Sequence, residues 1–190
     1  MTESVSGSGQ TLPPRRPRLI FLGLGIVLAV GLGVGLFSSF GNRGSSVPAV
    51  GAPAPPFSLS RLGGGGSLGT PADGGGNGRP VVLVFFASWC TPCQREIPAL
   101  ARAYRHQAAE HRVEVIGIDG MDPVDAAMAF VHRSGVTFPV AADPDYDVTE
   151  GLYFFRGDPD AVFVRGDGTI ARIVQGPITS AELIAWERRL

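Results

Sequence analysis

The chain contains two cysteines, Cys90 and Cys93, and the residues around them suit thiol chemistry. The apolar run from Val81 to Ala87 is rich in β-branched and aromatic residues and too short for a membrane span, so it reads as a buried strand. Ser88 and Trp89 then turn the chain, and a helix is predicted from about Cys90, with Pro92 in its first turn, where a missing N–H costs nothing. Both thiols thus fall at a helix N-terminus, where unpaired backbone N–H groups and the positive end of the helix dipole favour a thiolate over a thiol. Cys90 is expected to be the exposed nucleophile. Cys93, one turn deeper, is placed to resolve the mixed disulfide that Cys90 forms.

Two plainer roles compete. A Cys-x-x-Cys pair can be half of a zinc site, but a closed site needs about four Cys or His ligands. No further cysteine exists, and His106, His111 and His132 lack paired-ligand spacing. A purely structural disulfide over so short a loop would constrain the unfolded chain little.

The sequence from Trp89 to Cys93 after an apolar strand, with Pro98 five residues past the second cysteine, resembles the active site of the thioredoxin superfamily. Glu96 and Pro98 narrow the resemblance to the TlpA/ResA-like membrane-anchored thiol-disulfide oxidoreductases, and it extends from about Val50 to the C-terminus. It implies an α/β, thioredoxin-like fold: a central mixed β-sheet flanked by helices, with a helix-strand insertion between Asp119 and Asp143. It also makes Pro159 the superfamily's cis-proline, with Pro139 as rival, and places Trp89, Asp158 and Pro159 at the substrate-docking face. Glu96 takes the role of general base toward the resolving thiol; its plainer role is a partly exposed helix residue paired with Arg102 or another arginine. No cofactor or metal is implied. The partners are protein substrates with thiols or disulfides, and a membrane redox partner that recharges the pair.

Two residues depart from the superfamily pattern. Thioredoxin has a buried aspartate six residues before the first cysteine, where this chain has Val84. Asp158, before the proline, is expected to lie against the attacking sulfur, where a negative charge opposes thiolate formation.

Every one of the 16 basic residues is arginine, which excludes Schiff-base and P-loop lysines. Beyond residue 43, twelve arginines face sixteen acidic residues, so nucleic acid is not an expected partner. Residues 1–18 read as a disordered cytoplasmic N-terminus carrying Arg15, Arg16 and Arg18. Residues 19–40 are uncharged and as a helix would span about 33 Å, enough for a transmembrane anchor. The arginines before it place the N-terminus inside and the cysteines on the extracytoplasmic side. A cleaved signal peptide with a small-residue site near Ala49 is the competing reading. Residues 41–56 read as a linker and 57–190 as the thioredoxin-like domain.

Within the domain, Leu62 to Gly78 reads as a glycine-rich surface loop and Val113 to Ile118 as a second central strand. A helix opening at Asp122 and Pro123 should carry Val124, Ala127, Met128 and Val131 on one face, and Val136 to Ala141 a short strand. A helical turn follows from Asp143 to about Leu152. Val162 to Val174 reads as a hairpin, and Thr179 and Ser180 as the cap of a closing helix. The resemblance favours a reductase, for example in cytochrome c maturation. A disulfide-forming oxidase of the same fold, a thiol peroxidase and a copper-binding module remain as alternatives.

Overall fold

The computed structural model describes residues 47–70, 78–106 and 113–190. The expected N-terminal segment and transmembrane anchor, and the first part of the linker, lie outside the described residues. Among the described residues no helix is long and apolar enough to cross a membrane.

A five-stranded mixed sheet is built from β3 (Val81–Phe86), β4 (Glu114–Gly120), β5 (Val140–Asp143), β6 (Asp160–Val164) and β7 (Ile170–Gln175), in the order β5-β4-β3-β6-β7. A small antiparallel hairpin, β1 (Leu59–Ser60) and β2 (Ser67–Leu68), precedes it. The helices are α1 (Cys93–His106), α2 (Val124–Arg133) and α3 (Ser180–Glu187). β3 runs parallel to β4 and β4 to β5, whereas β6 and β7 return antiparallel on the other side of β3.

The central position of β3 explains its composition. Val82, Val84 and Phe86 point into one apolar cluster with Ile97, Leu100, Phe130, Phe163 and Leu183, to which all three helices contribute. Leu83 and Phe85 point into a second cluster with Ile118, Tyr153, Phe155, Val162 and Ile170. A strand covered on both faces has no need of polar alternation. The second face is closed by Ala54 and Phe57 and by the turns after β5. Gly51 donates its N–H to the Ile170 carbonyl, and the Ile170 N–H returns a bond to Ala52. The chain therefore joins the domain before residue 57.

The β4-α2-β5 unit is a parallel crossover at the sheet edge, matching the expected helix-strand insertion. Its helix is rotated from the expected face: Ala127 and Phe130 are buried, while Val124 and Met128 are 60% and 42% exposed. The large Phe130 ring decides the orientation by packing on Phe86 at 5.7 Å between centroids. The short strand starts only at Val140, because Phe138 is drawn into the core against Tyr104. Residues 144–153 form irregular turns instead of a helical turn, with Glu150 N–H bonding the Tyr146 carbonyl and Tyr153 N–H the Val148 carbonyl. The Asp143 carboxyl holds these turns by accepting from the Val148 and Thr149 N–H groups and the Thr149 hydroxyl. The glycines Gly63, Gly64, Gly65 and Gly66 form the β1-β2 turn, all with positive φ, a conformation that costs a residue with a Cβ. The hairpin β6-β7 and the capping box of α3, in which Thr179 and Glu182 satisfy each other's backbone N–H, follow the sequence expectation.

Candidate active site

The carboxyl ends of β3 and β4 lie side by side, with Phe86 in register with Asp119, and the site is assembled from the loops that leave this edge. After β3 the chain turns at Ser88 and Trp89 and delivers Cys90 to the start of α1. Cys90 and Cys93 form a disulfide with an S–S distance of 2.03 Å. The Cys93 N–H donates to the Cys90 sulfur at 3.1 Å, and the Cys90 carbonyl accepts from Gln94 as the helix begins. A thiolate at Cys90 would receive the same amide, which is the physical content of the helix N-terminus argument.

Cys93 is fully buried, and Cys90 keeps 4% of its surface, less than the exposed nucleophile expected. The cover comes from the loop before β6. Asp158-Pro159 is a cis peptide bond, the one such bond among the described residues, and the Asp158 carbonyl oxygen stands 3.3 Å from the Cys90 sulfur. Pro159 thus takes the position that its rival Pro139 does not. The Asp158 carboxyl, expected beside the sulfur, accepts at Oδ2 a 2.5 Å hydrogen bond from the Tyr146 hydroxyl, and the contact with Cys90 is made by the main-chain carbonyl. Trp89, next to the nucleophile, is 53% exposed. On its other flank the cis-proline loop, with Arg156, Gln175 and Gly176, lines a depression of about 260 Å³.

Glu96 is buried, and among the described residues it pairs with neither Arg102 nor another arginine. Its Oε1 accepts the Ile178 N–H at 3.0 Å, while Oε2 is buried without a partner. Burial, reinforced by Asp160 and Glu182 and opposed by the Ile178 bond, pushes its carboxyl up to about 7. Three residues past Cys93, it lies on the same side of α1 as the buried thiol. A carboxyl that changes protonation near neutral pH, with one free oxygen in a dry site, suits transfer of a thiol proton.

Sequence reading missed four residues of this region. Asp122 accepts both the Ser88 N–H and the Ser88 hydroxyl, at 2.5 and 2.7 Å, clamping the turn that carries Trp89 and Cys90. Asp119 is buried close to it, with its Oδ1 lacking a hydrogen-bond partner; burial, then the Asp122 charge, push Asp119 up to about 8. Tyr146 is the third and Ser88 the fourth. Asp119 had a readable signal, an acid closing an apolar parallel strand at the edge where β3 ends. Tyr146 had none, since its contact with Asp158 depends on the irregular turns after β5.

A disulfide at a helix N-terminus, the carbonyl ahead of the cis-proline against its outer sulfur and a mixed sheet of this order define a thioredoxin-fold enzyme of thiol-disulfide exchange. The chain belongs to the AhpC/TSA family, whose model matches residues 50–173. It is 29% identical over 158 residues to the thiol-disulfide oxidoreductase ResA of Geobacillus thermodenitrificans, covering 83% of this chain and 87% of that one. The ResA of Oceanobacillus iheyensis is 30% identical over 167 residues, 87% of this chain and 85% of the relative. Among solved structures, a secreted Mycobacterium tuberculosis disulfide oxidoreductase, described as homologous to E. coli DsbE, superposes with a TM-score of 0.59 at 28% identity. That match covers 70% of this chain and 96% of the other.

Proposed function

We propose that the protein is a membrane-anchored, extracytoplasmic reductase that exchanges disulfides with protein substrates, with maturation of cytochrome c thiols as one setting. The observation that carries the direction is the charge around the pair. Glu96, Asp119, Asp158 and Asp160 are acidic groups in or beside the site, raised first by burial and then by neighbouring carboxyls. A buried surround lined by carboxyls opposes further negative charge, so it raises the energy of a thiolate, disfavours the reduced couple relative to the disulfide and makes the reduced form the better electron donor. The anchor and its orientation rest on the uncharged residues 19–40 behind Arg15, Arg16 and Arg18. The secreted character of the M. tuberculosis neighbour agrees with an extracytoplasmic site.

In the reaction, the Cys90 thiolate attacks one sulfur of a substrate disulfide, forming a Cys90-substrate disulfide and releasing one substrate thiolate, which takes a proton from solvent. The substrate chain lies extended beside Trp89 and pairs with the backbone of Asp158, ahead of Pro159. Cys93 then passes its proton to Glu96 and attacks the Cys90 sulfur. This frees the second substrate thiolate, which is protonated in turn, and leaves the Cys90-Cys93 disulfide. Two electrons have moved to the substrate. A membrane dithiol donor returns them by the reverse exchange.

Equilibration of the full-length protein with a thiol redox buffer, read by alkylation of Cys90 and Cys93, tests the direction. Reductants of this superfamily lie near about −270 mV and its strong oxidants near about −120 mV. A couple below about −200 mV is expected, and a value above about −150 mV would make the protein an oxidase.

A further inference from the structure

We propose that Tyr146 is a positioning residue of the exchange site: its hydroxyl holds the Asp158-Pro159 loop so that the Asp158 carbonyl presents itself to the nucleophile and to the substrate backbone. The inference rests on the reading of this loop as the substrate-docking edge.

The placement of Tyr146 is built from several independent features. The residue follows β5, is 8% exposed and has a left-handed backbone with φ of 59°, which an L-residue adopts only when its surroundings compel it. Its ring lies on Gly120, the last residue of β4; a Cβ there would come within 2.3 Å of the ring carbon Cε2. Glycine at the end of β4 is thus the seat that admits the ring. From that seat the hydroxyl reaches the Asp158 Oδ2 at 2.5 Å. Burial first, and then the neighbouring Asp158, push the phenol far above its ordinary range, so it remains a donor at any physiological pH.

Asp158 depends on this bond. Its second oxygen, Oδ1, is buried without a partner. The phenol therefore ties the carboxyl to the strand edge after which Asp122 clamps Ser88. The two sides of the disulfide are referenced to one rigid edge: Ser88 through Asp122, and the cis-proline loop through Tyr146. Tyr146 holds the carboxyl of Asp158, whose carbonyl lies against Cys90, so it acts through that residue. Because the loop aligns an extended chain, its loosening affects a peptide substrate far more than a small disulfide that makes no backbone bonds.

The test compares single-turnover rates of the reduced, full-length wild type and Tyr146→Phe with two oxidants: a disulfide-bonded peptide with extended flanking sequence, and hydroxyethyl disulfide. The ratio of the peptide rate to the small-disulfide rate is expected to fall about tenfold in Tyr146→Phe, the scale of one lost charge-assisted hydrogen bond. Asp158→Ala should lower the ratio equally, and adding Tyr146→Phe to it should change nothing more, as two residues of one interaction require. Asp158→Asn, which still offers the phenol an acceptor, should restore the ratio. A ratio in Tyr146→Phe within twofold of wild type would overturn the proposal, as would equal loss toward both oxidants. If Tyr146→Phe does not fold, the Asp158→Ala ratio decides alone. Pro159→Ala tests the underlying reading separately: an unchanged ratio there would mean that the loop does not dock substrate at all.

Discussion

Full-length protein carrying Cys93→Ala is expected to accumulate its substrates as mixed disulfides through Cys90, whereas Cys90→Ala captures none. Both variants should lose multiple-turnover exchange by about a thousandfold or more, as when a member of a cooperating catalytic set is removed. The asymmetry follows from position. Cys90 retains accessible surface, receives the Cys93 amide and faces the cis-proline loop, whereas Cys93 is enclosed by the core cluster and can meet a substrate only through Cys90. Non-reducing electrophoresis followed by mass spectrometry reads the outcome. Equal trapping by the two variants would reverse or abolish the assigned order.

Glu96→Gln is expected to separate capture from release. The amide keeps the shape and the acceptor for the Ile178 N–H but cannot take a proton, so resolution by Cys93 should slow about a hundredfold at pH 8. In the wild type the rate of resolution should rise through about pH 7, where Glu96 ionises, and that step should be missing from the variant. Stability moves the opposite way. The folded carboxyl holds its proton up to about 7, against 4.5 for a freely solvated glutamate, so the folded state binds the extra proton between these values. Its stabilising contribution is complete below about pH 4.5 and is lost as pH rises through about 7. The wild type should therefore lose stability between pH 5 and pH 8. Glu96→Gln should remove roughly 2 kcal/mol of that loss, measured by denaturant titration at the two pH values. Asp119 and Asp160, raised to about 8 and about 6, act with the same sign and leave a residual slope.

The parts of this fold written in local pattern were readable from sequence. The doubly apolar β3, the Pro92 start of the active-site helix and the capping box at Thr179 each declare themselves within a few residues. Pro159 was placed by family resemblance rather than by any local signal, and the cis bond agrees with it. What escaped depends on contacts between segments distant along the chain. The rotation of α2 is decided by one ring, Phe130, against Phe86, 44 residues earlier. The direction of the Asp158 carboxyl is decided by Tyr146, which a run of irregular turns carries to it. Glu96 shows the same limit. Its spacing from Cys93 was visible, but its burial required knowing that Ile178, 82 residues later, would cover it. Polar residues whose role is to hold a loop carry no periodic signature, because their partners belong to other elements.

The account stands on a two-cysteine exchange cycle, and stoichiometry measures it most directly. Reduced full-length protein is mixed with an excess of a peptide disulfide in the absence of any other reductant. Released thiols are counted, and the protein is mapped by mass spectrometry without reduction. Two thiol equivalents per chain are expected, with Cys90 and Cys93 recovered joined to each other as in the structure. Release of a single equivalent, with peptide left covalently on the protein, or of none, would contradict it.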